Sequence, residues 1–203
     1  MLEQAPKGLW DEVRARPDRA PELIALAAAE RLAPGAERWA AEHAGKPPAD
    51  VARRAVKSHI RLSQLEGAAL GLAGAWGIVP DLAALAWIES RMVFHVAASY
   101  GFDPHHPMRP AELLALQDVY PTAQEARDAL DGVGRHVALE FAKGKLSGGD
   151  AKLRTRLLKM VGGHVAHRTA AKIIPGVASP IMAIQNSTAV GALGERTIRF
   201  YGG

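Results

Sequence analysis

Two stretches of this chain are almost without charge. Gly67 to Ile88 holds one charged residue, Asp81, and Ile173 to Gly194 holds none in 22 residues. Apolar runs of this kind must be buried, either inside protein or across lipid. Both approach the roughly 20 residues that cross a bilayer. Yet Pro80-Asp81 interrupts the first, and Pro175, Pro180 and the central Gln185-Asn186 interrupt the second. A central polar pair costs several kcal/mol in hydrocarbon unless it meets partners. The favoured reading is close helix packing. Gly67 and Gly71, and Ala183, Ser187 and Gly191, recur every four residues on one helix face, which lets backbones approach. Such faces suit the tight centre of a bundle, a membrane hairpin or a homo-oligomer.

The rest of the chain carries helix signals and no strand alternation. Its apolar share, 48%, is rich in Ala, with only 5% aromatics, and Ala and Leu favour helix. Pro21 opens a helix after Asp18, and a short segment near Ala36–Ala44 ends at Gly45. A longer helix runs from about Asp50 toward Leu65, with a basic stripe of Arg53, Arg54, Lys57 and Arg61 and an apolar side of Val56, Ile60 and Leu65. The helix Leu82 to Tyr100 starts apolar nearly all round, so it is expected to be buried there, and Gly101 stops it. Asp103-Pro104-His105-His106-Pro107 reads as a loop, and Pro110 opens the next helix. Thr122-x-x-Glu125 is a capping box, followed by Ala126, Leu130, Val133, Val137 and Phe141 at helical spacing. A further helix carries Leu153, Leu157, Val161 and Val165. The fold expected is all-α, a single compact multi-helix bundle with two Gly/Ala-rich central segments. Residues 1–50 would form a helical extension or cap, and 51–203 the main domain.

Charge is uneven. From Arg135 to Lys172 there are nine Lys/Arg against two acids, Glu140 and Asp150, which gives +7 in a chain of net +4. Basicity confined to one region suggests an anionic surface as partner, with Lys152, Arg156 and Lys159 as contact candidates. A solvated helix face would look the same. Stacking aromatics are missing from this span apart from Phe141, which argues against nucleic acid. The chain has no cysteine, which excludes disulfides, thiolate catalysis and Cys-based zinc sites. Met1 to Lys7 lacks a basic start followed by an apolar core, so secretion is not expected.

No Gly-x-Ser-x-Gly elbow, phosphate loop, His-Glu-x-x-His or EF-hand loop occurs. Asp103, His105 and His106, with His164 and His167, are the nearest approach to metal-ligand chemistry, but they belong to different elements. No metal site, catalytic residue or cofactor is expected. The candidate polar cluster is Asp81, Glu89, Arg91, His95, Tyr100 and Asn186. Its acids and bases form no attractive i,i+4 pair, and Arg91–His95 is repulsive, so buried members need partners from other elements.

Several segments occur in a recognisable order: Gly71-Leu72-Ala73-Gly74-Ala75-Trp76-Gly77-Ile78-Val79-Pro80-Asp81, then Glu89-Ser90-Arg91, then Tyr100-Gly101-Phe102-Asp103-Pro104, then Ile174-Pro175-Gly176, Asn186 and a closing Arg199-Phe200-Tyr201-Gly202. This set resembles the EcsC protein family over roughly Ala52 to Tyr201. The resemblance implies a helical protein with a membrane connection, through a namesake encoded beside components of an ATP-binding-cassette transporter. It brings no catalytic residues. The leading expectation is a non-enzymatic helical protein that engages anionic lipid from the cytoplasmic side. The alternatives are an interaction module or homo-oligomer with a tight Gly/Ala core, and an unrecognised enzyme with a polar helical pocket.

Overall fold

The computed structural model describes residues 8–70, 78–141, 160 and 178–203. Among these, all regular structure is helical. A short α1 (Leu9–Ala15) leads through a 3-10 turn, Pro17–Arg19, into α2 (Ala20–Glu42). Then follow α3 (Pro48–Leu70), α4 (Ile78–Ser99), α5 (Arg109–Leu116), α6 (Ala123–Phe141) and α7 (Ala178–Gly202).

The centre of the molecule is α4. From Leu85 to Ala98 every residue but Arg91 is buried, because α2, α3, α5 and α7 all pack on it. The apolar start of this helix leads to an expectation of burial at its start; the described side chains, from Ala84 onward, are buried almost to its end. Pro80 falls in the first turn of α4, where a missing N–H costs nothing. Gly101 ends the helix at φ +82°. The Phe102 N–H reaches the Ala97 carbonyl at 3.1 Å and the Gly101 N–H the Ala98 carbonyl at 3.0 Å, the paired bonds of a Schellman stop. The capping box also forms, with the Glu125 N–H on Thr122 Oγ1 at 3.1 Å.

Two sequence expectations differ from the structure. The segment near Ala36–Ala44 is not separate, since α2 continues through Pro34. Pro34 is exposed, so water can satisfy the Glu30 carbonyl that the proline leaves without its helical donor. The sequence pattern places Leu65 on the apolar side of α3, but it is 71% exposed. It lies nine residues past Val56, about 900° of helix rotation and so half a turn out of phase. That places it close in angle to Arg54.

The small-residue face of α7 is used within the chain. A Cβ on Gly194 would sit 2.5 Å from Val56 Cγ1, and one on Gly191 would sit 3.6 Å from Ile60 Cδ1. The backbone of α7 therefore lies directly against α3. Helices α1 and α2 share this core with the later helices, through Leu9, Val13, Ile24 and Leu32. No described helix is long and apolar enough to cross a membrane.

Candidate functional site

The polar residues singled out on α4 diverge. Glu89, 1% exposed, faces the end of α5, where Gln117 Nε2 donates to its Oε2 at 3.4 Å. His95, 4% exposed, faces α2 and α3. Its ring stacks on Trp39 at a centroid distance of 5.0 Å and 12°, and meets the edge of His59 at 5.1 Å. Arg91 stands near both imidazoles and disfavours their protonation. Tyr100, at the end of α4, lies against the backbone of Gly202. Asp81 and Asn186 belong to α4 and α7, but their side chains lie outside the described part. Lys152, Arg156, Lys159, His164 and His167 are outside the described residues altogether.

The aromatic–imidazole cluster has its own wiring. The Trp39 indole N–H donates to Ser99 Oγ at 3.1 Å, and Ser99 donates to the His95 carbonyl at 2.7 Å. His59 Nδ1–H donates to the Ala55 carbonyl at 2.8 Å, which leaves its Nε2 without a partner. Neither nitrogen of His95 has one. Burial, opposed by the Ala55 hydrogen bond and aided by Arg91, pulls the His59 pKa to about 4. Burial first, then His59, Arg91 and His43, pulls that of His95 to about 2. Both rings are neutral at pH 7. Sequence reading found His95 and passed over Trp39, His43 and His59. Their only local signal is one-turn spacing, Trp39 to His43 and His95 to Ser99.

A second constellation ties the Tyr100–Asp103 turn to the chain's last helix. Arg109, 6% exposed, donates from Nε to the Asp103 carbonyl at 3.1 Å and from Nη1 to the Tyr201 hydroxyl at 3.0 Å. It also pairs with Glu112, and Tyr201 donates to the same carboxylate. The guanidinium lies 5.3 Å from the Phe102 ring centre and 5.4 Å from that of Tyr201. Burial pushes the Tyr201 hydroxyl well above the usual phenol range, so it stays protonated and keeps donating. The arrangement joins α4, α5 and α7.

These contacts connect the Tyr-Gly-x-Asp turn with the closing Arg-Phe-Tyr-Gly, two segments of the ordered set. The model of the EcsC protein family matches residues 48–202, most of the chain. This chain belongs to the EcsC protein family. The match starts at Pro48, the first residue of α3. No curated protein and no solved structure matches the chain. Within this EcsC domain the exposed Tyr-Gly-x-Asp turn is clasped to the last helix through the buried Arg109 and Tyr201.

One face of the EcsC domain is strongly basic. Arg53, Arg54, Lys57 and Arg61 are exposed along α3. Asp50 pairs with Arg53 at 2.6 Å. Among the described residues no acid lies within ion-pair range of Arg54, Lys57 or Arg61. With Lys46 and His43 they border a groove of about 640 Å³. No group of three or more metal-capable side chains occurs among the described residues. His105 sits in its loop, 3.6 Å from Glu37, and His106 Nδ1 accepts from the Met108 N–H.

Proposed function

We propose that this EcsC domain associates with anionic membrane, with the exposed face of α3 as its contact. The observation that carries the reading is the row Arg54, Lys57, Arg61, spaced one helical turn apart and unopposed by acid among the described residues, with Leu65 exposed in line with it. Each such cation near an anionic leaflet contributes about 1 kcal/mol, and an exposed leucine at the end of the row adds apolar contact with the headgroup boundary. The candidates Lys152, Arg156 and Lys159 would extend the same electrostatic attraction.

Flotation with vesicles tests it. The protein is expected to float with phosphatidylglycerol-containing vesicles at low salt, to stay behind with neutral ones, and to release at high salt. Replacing Arg54, Lys57 and Arg61 together by Ser should weaken binding about 100-fold, from about 3 kcal/mol lost. Equal behaviour toward neutral and anionic vesicles would sink the proposal.

A further inference from the structure

The basic groove does not end on α3. At the corner where α2 passes into α3 it meets a second, smaller cleft of about 260 Å³. His43, Lys46 and Val51 border both, so the two cavities are neighbours sharing a wall. Their linings differ. The groove is mainly cationic, with Lys46, Arg53, Arg54, Lys57 and Arg61 against one acid, Asp50, which pairs with Arg53. The cleft is walled by small and apolar residues, including Ala44, Pro48 and Gly101, and closes on Ser99 and Tyr100 at the end of α4.

Two of the cleft's glycines are held open by the backbone itself. Gly45 and Gly101 have φ of +80° and +82°, and nothing lies within 4 Å of where a Cβ would stand on either. Left-handed geometry keeps a side chain off both positions. The bare backbone therefore faces open space. At the junction, His43 Nδ1–H is committed to the Trp39 carbonyl at 2.9 Å, which fixes the ring by its other side and leaves Nε2 as its remaining polar atom.

A cationic groove beside a small cleft that is lined, apart from the shared Lys46 and His43, by small and neutral residues matches a ligand of the same two-part build. We infer that this corner binds a compact phosphate ester, its phosphate among Lys46, Arg54 and Lys57 and its short uncharged part in the cleft beside Gly45 and Gly101. The inference rests on the α3 face of the preceding reading and adds a discrete site to it. Lys and Arg supply the charge-assisted bonds that hold phosphate. The cleft supplies the discrimination, because only an ester has atoms to bury there. Burying two carbons is worth about tenfold in affinity when the hydroxyls they carry meet polar groups, for which Tyr100 and the bare peptide groups of Gly45 and Gly101 stand in the cleft. The ester is either a free metabolite or the exposed phosphomonoester headgroup of a lipid, and the two sources share this chemistry.

Calorimetric titration of the full chain with inorganic phosphate and with glycerol phosphate tests the site. Glycerol phosphate is expected to bind about tenfold more tightly. Ala44→Trp, at an exposed position on the cleft wall, should erase that ratio while leaving phosphate affinity and vesicle flotation intact. Arg54→Ser should weaken both ligands alike. Tighter binding to phosphatidic acid than to phosphatidylglycerol vesicles at matched surface charge would assign the ester to a lipid headgroup. Equal binding to the two, with glycerol phosphate still preferred, would assign it to a free ester. If glycerol phosphate gains nothing over phosphate, or Ala44→Trp leaves the ratio unchanged, the site is overturned, and flotation on anionic vesicles would still stand. If glycerol phosphate binds and nothing floats, the membrane reading falls and the site survives.

Discussion

At the scale of single residues, the most consequential group is Arg109. A buried guanidinium is tolerable only when its charge and its donors are met. Here Glu112 meets the charge, and Tyr201 and the Asp103 carbonyl take further donors. Breaking such a group from one side strands the other. Arg109→Met is expected to cost about 2–4 kcal/mol, because it leaves the part-buried Glu112 carboxylate without its counter-charge. Tyr201→Phe should cost about 1–3 kcal/mol, the loss of one buried hydroxyl from a network that otherwise stays paired. Combining Arg109→Met with Glu112→Gln should recover part of the first loss, since no uncompensated charge remains. Urea unfolding of the parent, these three variants and Glu112→Gln alone reads these values. Additive costs would mean that the clasp is not a unit. Nothing local in the sequence announces this trio. Arg109 and Tyr201 are separated by 92 positions, and the ordered set of segments contains Tyr201 but neither Arg109 nor Glu112.

At the scale of elements, α3 and α7 show how spacing and phase divide the work. Every-fourth small residues predict close packing; of that set Gly191 lies in ordinary contact with α3, and the tightest approach falls three residues later at Gly194, outside the set, where α7 leaves no room for a methyl group. Gly194→Ala gains about 1 kcal/mol of helix propensity and loses about 1–3 kcal/mol to the Val56 clash, so a net loss is expected. Gly191→Ala places its methyl in ordinary contact with Ile60, so there the propensity gain should stand and the protein should become more stable. Thermal melts of the two variants would move in opposite directions, and melts moving together would contradict the packing described. The elements themselves were legible where a local rule decides them. Gly101 and Thr122 end and begin helices through bonds made within a few residues, and the sequence displays the partners. Pro34 shows the limit. A proline inside a helix is fatal or harmless according to which side faces water, and that depends on which helices pack against α2. Leu65 shows another limit, because a hydrophobic residue invites assignment to the apolar side even when its phase opposes it. The dispersal of Glu89, Arg91 and His95 follows from the same arithmetic. Glu89 and Arg91, two apart on α4, point about 200° away from each other, whereas Arg91 and His95, four apart, share a face, and a helix buried on every side gives each direction a different neighbour.

At the scale of the whole molecule, the all-α architecture followed from composition and period, while the interior's polar content did not. Two imidazoles, His59 and His95, lie in the core 36 positions apart, brought together by the packing of α3 on α4. Their presence ties global stability to pH. In the unfolded chain each protonates near pH 6.5. In the folded protein burial lowers these values to about 4 for His59 and about 2 for His95. Between pH 6.5 and 4 the unfolded state therefore takes up protons that the folded state refuses, and stability falls as pH falls. The contribution is fully present above pH 6.5. Each histidine contributes at most about 1.4 kcal/mol per pH unit over its window, so at pH 5 the pair would cost about 4 kcal/mol. That is a large share of the roughly 5–15 kcal/mol that holds a domain together. Below pH 4 the slope from His59 ends and that from His95 continues toward its own value. His95→Phe keeps a flat ring against Trp39 and removes the titrating group, so it should reduce the pH dependence by about half between pH 6 and 4. Urea midpoints measured across that range decide the matter. A variant whose midpoints decline as steeply as those of the parent would show that the acid sensitivity arises elsewhere, and that His95 is protonated in the fold without cost.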